Sequence, residues 1–256
     1  MPSSPPAKPL IPILQSAHSF ASGLQAAWLF VESSGVSIFD YSGNSRHLSC
    51  SNVSDGSWIG GGSSAVRLRY SAPGEAHSIA TPGSIAGLNF ALATDTWTET
   101  YIIRVDDVSG TKPRLRSRAG NVIDLAVLPA ASNRRLEYFS GAAWVDFQST
   151  AASGVYHIFT FVHGADTVLT LYKDGVQQIT GLGGIGVGNT GQIWLWTPPA
   201  DNTSEWTEGE MMAGFIHNRA LSASEVAANA SSPYAAFTTA TASPSTDGLG
   251  FNFDLI

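Results

Sequence analysis

Apolar residues recur at every second position through most of the chain. Residues 24–31, 65–70, 88–92, 98–105, 114–118, 122–128, 134–139, 143–147, 155–162, 167–173, 192–196 and 210–217 alternate in this way. They are rich in β-branched and aromatic side chains and are bounded by Gly, Pro, Asn, Asp or Ser. A period of two sends successive side chains to opposite faces, so each run predicts a β-strand. In 155–162, Val155, His157, Phe159 and Phe161 share one face. Lys173-Asp174-Gly175-Val176 sets Asp-Gly between two such runs, the signature of a tight hairpin, and Ser140-Gly141 predicts another. One helix is expected. Ser222-Ala223-Ser224-Glu225 fits a capping box, and the Ala-rich turn behind it ends before Ser231-Ser232-Pro233. A dozen short strands and one helix predict an all-β fold, a two-sheet antiparallel jelly-roll sandwich with one short C-terminal helix.

The ends read differently. Residues 1–22 carry Pro2, Pro5, Pro6, Pro9 and Pro12, which favour extended chain and forbid regular helix. Residues 235–256 are Ala, Thr, Ser and Gly without a period, closing on Phe251, Phe253, Leu255 and Ile256. The expected organisation is an extended arm over 1–22, a sandwich over 23–234 and a tail over 235–256.

Three blocks resemble one family. Gly23-Leu24-Gln25-Ala26-Ala27-Trp28-Leu29-Phe30 leads through Glu32-Ser33-Ser34-Gly35 to Asp40-Tyr41-Ser42-Gly43-Asn44. Val155-Tyr156-His157-Ile158 precedes Leu169–Val176. Phe215-Ile216-His217-Asn218-Arg219-Ala220-Leu221-Ser222 runs into Glu225. In this order they resemble the opening strand and loop, the central hairpin and the closing strand of concanavalin A-like (laminin-G-like) jelly-roll domains. Val155 stands where the family usually has Trp, and His163-Gly164 where it has Asp-Gly. Trp28, Phe30, Phe159, Phe161, Leu171 and Phe215 are the inward candidates, and Gly35, Gly43 and Gly175 sit where turns need positive φ. Arg219, between strand and helix, is placed to pin the helix through nearby carbonyls or a carboxylate.

Composition narrows the function. Of 256 residues, 43% are hydrophobic, enough for a large core, and no apolar run is long enough to span a bilayer as a helix. The net charge of -7 argues against nucleic acid. Residues 1–15 lack a secretory signal, which predicts synthesis in the cytoplasm. The single Cys50 has no partner for a disulfide or thiolate metal site. Charged residues make up only 13%, about half the roughly 25% usual in globular domains. Ser, Thr, Ala and Gly therefore fill outward positions that are cheap to desolvate.

Catalytic patterns are missing. The family's hydrolases resemble Glu-x-Asp-x-Glu on one strand, and no such run occurs. The nearest acids, Glu205, Glu208 and Glu210 beside Trp206, read as a solvated loop leading into a strand. Gly181–Gly186 formally fits Gly-x-Gly-x-x-Gly but precedes a strand where a dinucleotide site needs a helix. His157 and His163 share a strand face yet lie about 20 Å apart, too far to share a metal. No cofactor is expected beyond a possible Ca2+. The resemblance implies that Asp40 and Asn44, or Asp106 and Asp107, could supply its oxygens; an Asx turn without metal accounts equally for the first pair.

Two surfaces are candidates for partners. Trp194, Trp196 and Trp206 flank a loop holding Asn202, and exposed indoles there would stack on sugar rings; Trp206, Trp194 and Asn202 are the first choices. Arg114, Arg116 and Arg118 alternate on one strand, Arg67 and Arg69 on another, and with Lys112 they hold six of the 13 basic residues. Such faces suit an acidic neighbour or an anionic polysaccharide, and a solvated outer face accounts for them otherwise. The expected function is non-enzymatic. Resemblance to laminin-G-like domains of tailed bacteriophages implies a virion structural protein (capsid decoration, head-fibre or tail component), homo-oligomeric, whose arms bind other virion proteins. The alternative is a carbohydrate-binding adhesion module.

Overall fold

The computed structural model describes residues 8–9, 11–32, 34–51, 58–59, 67–70, 78–80, 85–88, 90, 95–109, 114–118, 124–128, 134–139, 144–152, 154–166, 168–182, 193–195 and 206–239. For 51, 59, 67–70, 78, 80, 86, 107–109, 114–118, 124–128, 134–139, 144–151, 181–182, 193–195 and 206–208 only the backbone is described. The strands are β1 (Pro12–Leu14), β2 (Leu24–Trp28), β3 (Ser37–Ile38), β4 (Leu48–Ser51), β5 (Trp58–Ile59), β6 (Arg67–Tyr70), β7 (Ser78–Ala80), β8 (Trp97–Ser109) and β9 (Arg114–Arg118). They continue with β10 (Asp124–Leu128), β11 (Arg134–Phe139), β12 (Trp144–Ala151), β13 (Tyr156–His163), β14 (Leu169–Lys173), β15 (Val176–Leu182), β16 (Ile193–Leu195), β17 (Trp206–His217) and β18 (Phe237–Thr239). Helix α1 spans Ala223–Ser231.

Two large antiparallel sheets form the sandwich. One has the order β12-β11-β10-β9-β16-β7-β4-β3. The other runs β15-β14-β13-β8-β17-β6-β5, with β2 joining β17 beside the end left open by β6. Trp28, Trp97, Tyr101, Phe159, Leu171 and Met211 from the second sheet meet Ile38, Leu48, Cys50 and Ile79 from the first, and these residues make the core between the sheets. This is the jelly-roll sandwich that the alternation predicts.

A second core lies on the other face of the second sheet. Ile102, Tyr156, Met212 and Phe215 there are covered by Phe20, Leu221, Val226, Tyr234 and Phe237. Phe215, one of the expected inward residues, belongs to this core, while Trp28, Phe30, Phe159, Phe161 and Leu171 belong to the first. Segments from both ends of the chain supply the cover. β1 pairs antiparallel with β18, Leu14 opposite Phe237 and Pro12 opposite Thr239. The Lys8 Nζ donates to the carbonyls of Leu29 (2.6 Å), Phe30 (3.2 Å) and Met212 (3.0 Å). Phe30 has φ +50°, so the chain leaves the β2 ladder there and turns its carbonyls toward the lysine. Residues 1–7 and 240–256, including the apolar tip at Phe251–Ile256, lie outside the described residues.

Helix α1 begins as expected. The Ser222 Oγ accepts from the Glu225 amide and a Glu225 carboxylate oxygen accepts from the Ser222 amide. Arg219 pins it, donating to the carbonyls of Ser22 (2.8 Å) and Ser19 (3.2 Å) and pairing with Glu225 at 2.8 Å. The pair holds the Glu225 carboxyl well below the usual range, at about 2, with the Ser222 amide adding to the effect. Asp174 (φ +55°) and Gly175 (φ +80°) close the hairpin between β14 and β15. A Cβ on Gly175 would stand 3.0 Å from the Ala230 Cβ, so the turn also seats the helix. Of the expected strand over 88–92, Leu88 and Phe90 are described and neither is in a strand, while 89 and 91–92 lie outside the described residues. Around Leu88 the chain forms a 3-10 turn, Ala86–Leu88, closed by the Leu88 amide on the Ile85 carbonyl. Leu88 and Phe90 both enter the core.

Candidate functional site

The loop after β3 is the first site that the sequence marks. Asp40 bridges to Trp28 and its carboxylate is fully engaged. Oδ1 accepts from the amides of Ala27 (2.9 Å) and Ser42 (2.8 Å), and Oδ2 accepts from the Arg46 amide and the Ser42 hydroxyl, each at 2.9 Å. The Ser42 contact is an Asx turn. Asn44 turns its Nδ2 to the Leu24 and Gln25 carbonyls, both at 3.1 Å. The Trp28 Nε1 donates to the Arg46 carbonyl at 2.8 Å. Asp40 and Asn44 do not fit a calcium ion: protein donors take the positions that a cation would use on Asp40, and Asn44 presents a donor. Asp106 is held by Arg104 through two bonds, 2.7 and 2.6 Å. Among the described residues no three His, Cys, Asp or Glu gather as metal ligands.

Glu32 organises the outer end of that loop. Its Oε1 accepts from the Phe39 amide (2.9 Å) and the Tyr41 hydroxyl (3.2 Å). Burial and then the Glu32 charge push the Tyr41 phenol above its ordinary pKa. Burial, with the same carboxylate, pushes the Cys50 thiol up to about 12, so this cysteine is an inert core residue.

The described part of the acidic cluster near Trp206 is strand, where a solvated loop leading into a strand is expected. Glu208 and Glu210 lie within β17, and Glu210 is 2% exposed. Its Oε1 pairs with Arg104 at 2.9 Å, and its Oε2 accepts a short hydrogen bond from the Tyr156 hydroxyl. Tyr156, Arg104 and Glu210 are successive partners across β13, β8 and β17, and the next position in that row is Arg69 on β6. The hydrogen bond with Asp106, then the Glu210 and Asp106 charges, raise the Arg104 pKa against the effect of burial. A carboxylate tied in this way is a cross-strand strut, not a general acid. Glu205 lies outside the described residues. The sequence signal for this strut is Arg104 itself, a charge inside the apolar run Tyr101–Val105.

The other candidates are placed by backbone register. Trp194 lies on β16 opposite Ala80 and Ser117. Ala80 pairs with Ser49, and Ser49 with Ser37. Ser37 and Ser49 are exposed. The neighbouring row runs Cys50, Ile79, Leu195 and Arg116, and begins with two core residues. Trp206 opens β17 opposite Ser109, in the other sheet. The sheets therefore separate the two tryptophans. Asn202, Trp196 and Lys112 lie outside the described residues. The basic residues are separated as well: Arg67 and Arg69 sit on β6 in one sheet, Arg114, Arg116 and Arg118 on β9 in the other.

No family model matches the sequence, and no curated protein matches it. The fold has solved relatives. Botulinum neurotoxin type C, described as entering cells through interaction with two ganglioside molecules, aligns with TM-score 0.61 and 10% identity over 85% of this chain and 53% of that one. The binding domain of Paraclostridial mosquitocidal protein 1 aligns at 0.59 and 20% identity over 83% and 53%. Domain 4 of the GH43 arabinanase AbnA from Geobacillus stearothermophilus, solved with arabinotriose, aligns at 0.55 and 15% identity over 82% of this chain and 98% of that domain. This chain thus shares the sandwich fold of these structures, and it spans about half the length of the toxin chains. At these identities the likeness is one of fold. Among the described residues no helix is long and apolar enough to cross a membrane.

Proposed function

We propose that this chain is a non-catalytic carbohydrate-binding module, with Trp194 as the sugar platform. The observation that carries the reading is the register of β16. It sets Trp194 in the row of Ser37, Ser49, Ala80 and Ser117, an indole flanked by small residues on the row whose described members are exposed. A flat aromatic ring bordered by small side chains suits the apolar face of a pyranose or furanose. Relatives of the same fold that take arabinotriose or gangliosides support the ligand class. Trp206 lies in the opposite sheet and is no part of this platform.

The virion reading expects chain ends that wait for a neighbouring subunit. Among the described residues Lys8, β1 and β18 are anchored within the chain, and the neighbours of the same fold favour a carbohydrate ligand over that reading. A glycan array tests the proposal. Wild-type protein is expected to retain a defined set of oligosaccharides without releasing reducing ends, and Trp194→Ala to lose at least tenfold in affinity. Retention of no glycan by the wild type, or retention untouched by Trp194→Ala, overturns it.

A further inference from the structure

A cavity of about 400 Å3 opens between helix α1, the 3-10 turn Ser19–Ala21 and the turn that follows the helix. That volume lies in the range of small-ligand sites, about 300–1,000 Å3. Its wall is mixed. Phe20, Ala228 and Ala236 supply apolar surface; His18, Ser19, Ser232 and Asn229 supply polar groups. Glu225 also borders it, but its charge is spent on Arg219 and on the Ser222 amide.

Asn229 is the informative residue. It lies three positions after Val226 on the buried side of α1 and is 6% exposed, where an apolar residue would ordinarily sit. Its Nδ2 has no protein acceptor. A buried amide left without a partner costs about 1–3 kcal/mol, so the helix carries an unfavourable polar group on the side that borders the cavity. His18 adds a second directed group. Its Nδ1 accepts from the Phe20 amide at 3.2 Å, which leaves the proton of the neutral ring on Nε2.

We infer that this cavity is a binding site for a single neutral, hydroxyl-rich ring, a monosaccharide unit. Amide, imidazole and hydroxyl groups together match a ligand whose hydroxyls both donate and accept. Among the described residues no Lys or Arg lines the wall to receive an acid, and Arg219 nearby is held by Glu225 and by two carbonyls. The site is distinct from Trp194, and its validity does not depend on the platform proposed there.

The test is saturation-transfer NMR and titration calorimetry on the full chain with D-glucose, D-galactose, D-mannose, L-arabinose and D-glucuronate. At least one neutral sugar is expected to bind, with glucuronate at least tenfold weaker. Ala228→Phe places a ring in the cavity from an exposed helix position and is expected to abolish that binding. Asn229→Leu is expected to abolish it while keeping or raising Tm, which shows that loss of binding is not loss of fold. Trp194→Ala is expected to leave it unchanged, so the two sites fail separately. Binding of none of the neutral sugars, binding indifferent to Ala228→Phe, or equal binding of glucuronate would overturn the inference.

Discussion

The Lys8 ammonium lies 3.0 Å from the carbonyl of Met212, 204 residues further along the chain. This contact ties a Pro-rich segment to the centre of a sheet, where the carbonyls of Leu29, Phe30 and Met212 converge on one donor group. Lys8→Met keeps the stem but strands those carbonyls. We expect a loss of about 1–3 kcal/mol in urea unfolding, because buried acceptors without donors carry their full desolvation cost. An unchanged midpoint would show the contact to be incidental.

Acid should unfold the protein in two stages. His217, buried with its Nε2 donating to the Phe20 carbonyl, has its pKa pushed down to about 4, chiefly by burial. Burial lowers His163 in the same direction. The unfolded chain binds a proton at about 6.5 that the folded chain refuses. Stability is therefore full above about pH 6.5 and falls as pH drops toward 4, by about 3 kcal/mol for His217 alone. Glu225 acts next: its lowered pKa stabilises above about pH 4.5, and that contribution disappears as pH falls toward 2. Denaturant midpoints measured from pH 7.5 to 3.5 check the first stage, and His217→Gln should flatten it.

Asp40→Ala removes four hydrogen bonds at once and opens the loop that seats Trp28. A loss of at least about 3 kcal/mol is expected. EDTA should leave the wild-type Tm unchanged, because protein donors hold the loop. A fall in Tm on chelation, restored by calcium, would contradict this reading.

Gly175→Val combines a positive φ with a Cβ 3.0 Å from Ala230, so it should both strain the hairpin and lift α1. A β-branched residue in the left-handed region costs upward of about 1–2 kcal/mol before any clash. Loss of Tm with far-UV signal retained at low temperature would match.

Cys50 should resist a thiol reagent in the folded protein and react on unfolding. Labelling by a disulfide reagent at pH 8, with and without urea, separates a thiol raised to about 12 from an exposed one.

The sandwich was legible because its signals are local. Alternation through 98–105 and 155–162, the Asp174-Gly175 turn and the Ser222 cap each carry their geometry within a few residues. The second core was not, because period two says which residues share a face and not whether both faces are covered. Phe215 looks inward in sequence, yet only the tertiary fold sends it beneath α1. Two-residue strands such as β3 and β5 are too short for any period to register. Lys8 sits among prolines with nothing nearby to announce its partners. Trp194 and Trp206 are 12 positions apart in sequence and in different sheets, a distance that spacing cannot reveal.

The pairing of β1 with β18 also has an architectural consequence. Because β1 and β18 form a two-stranded sheet of their own, with Pro12 opposite Thr239, freeing either strand leaves the other without its ladder, and the cover of the second core loosens at both strands together.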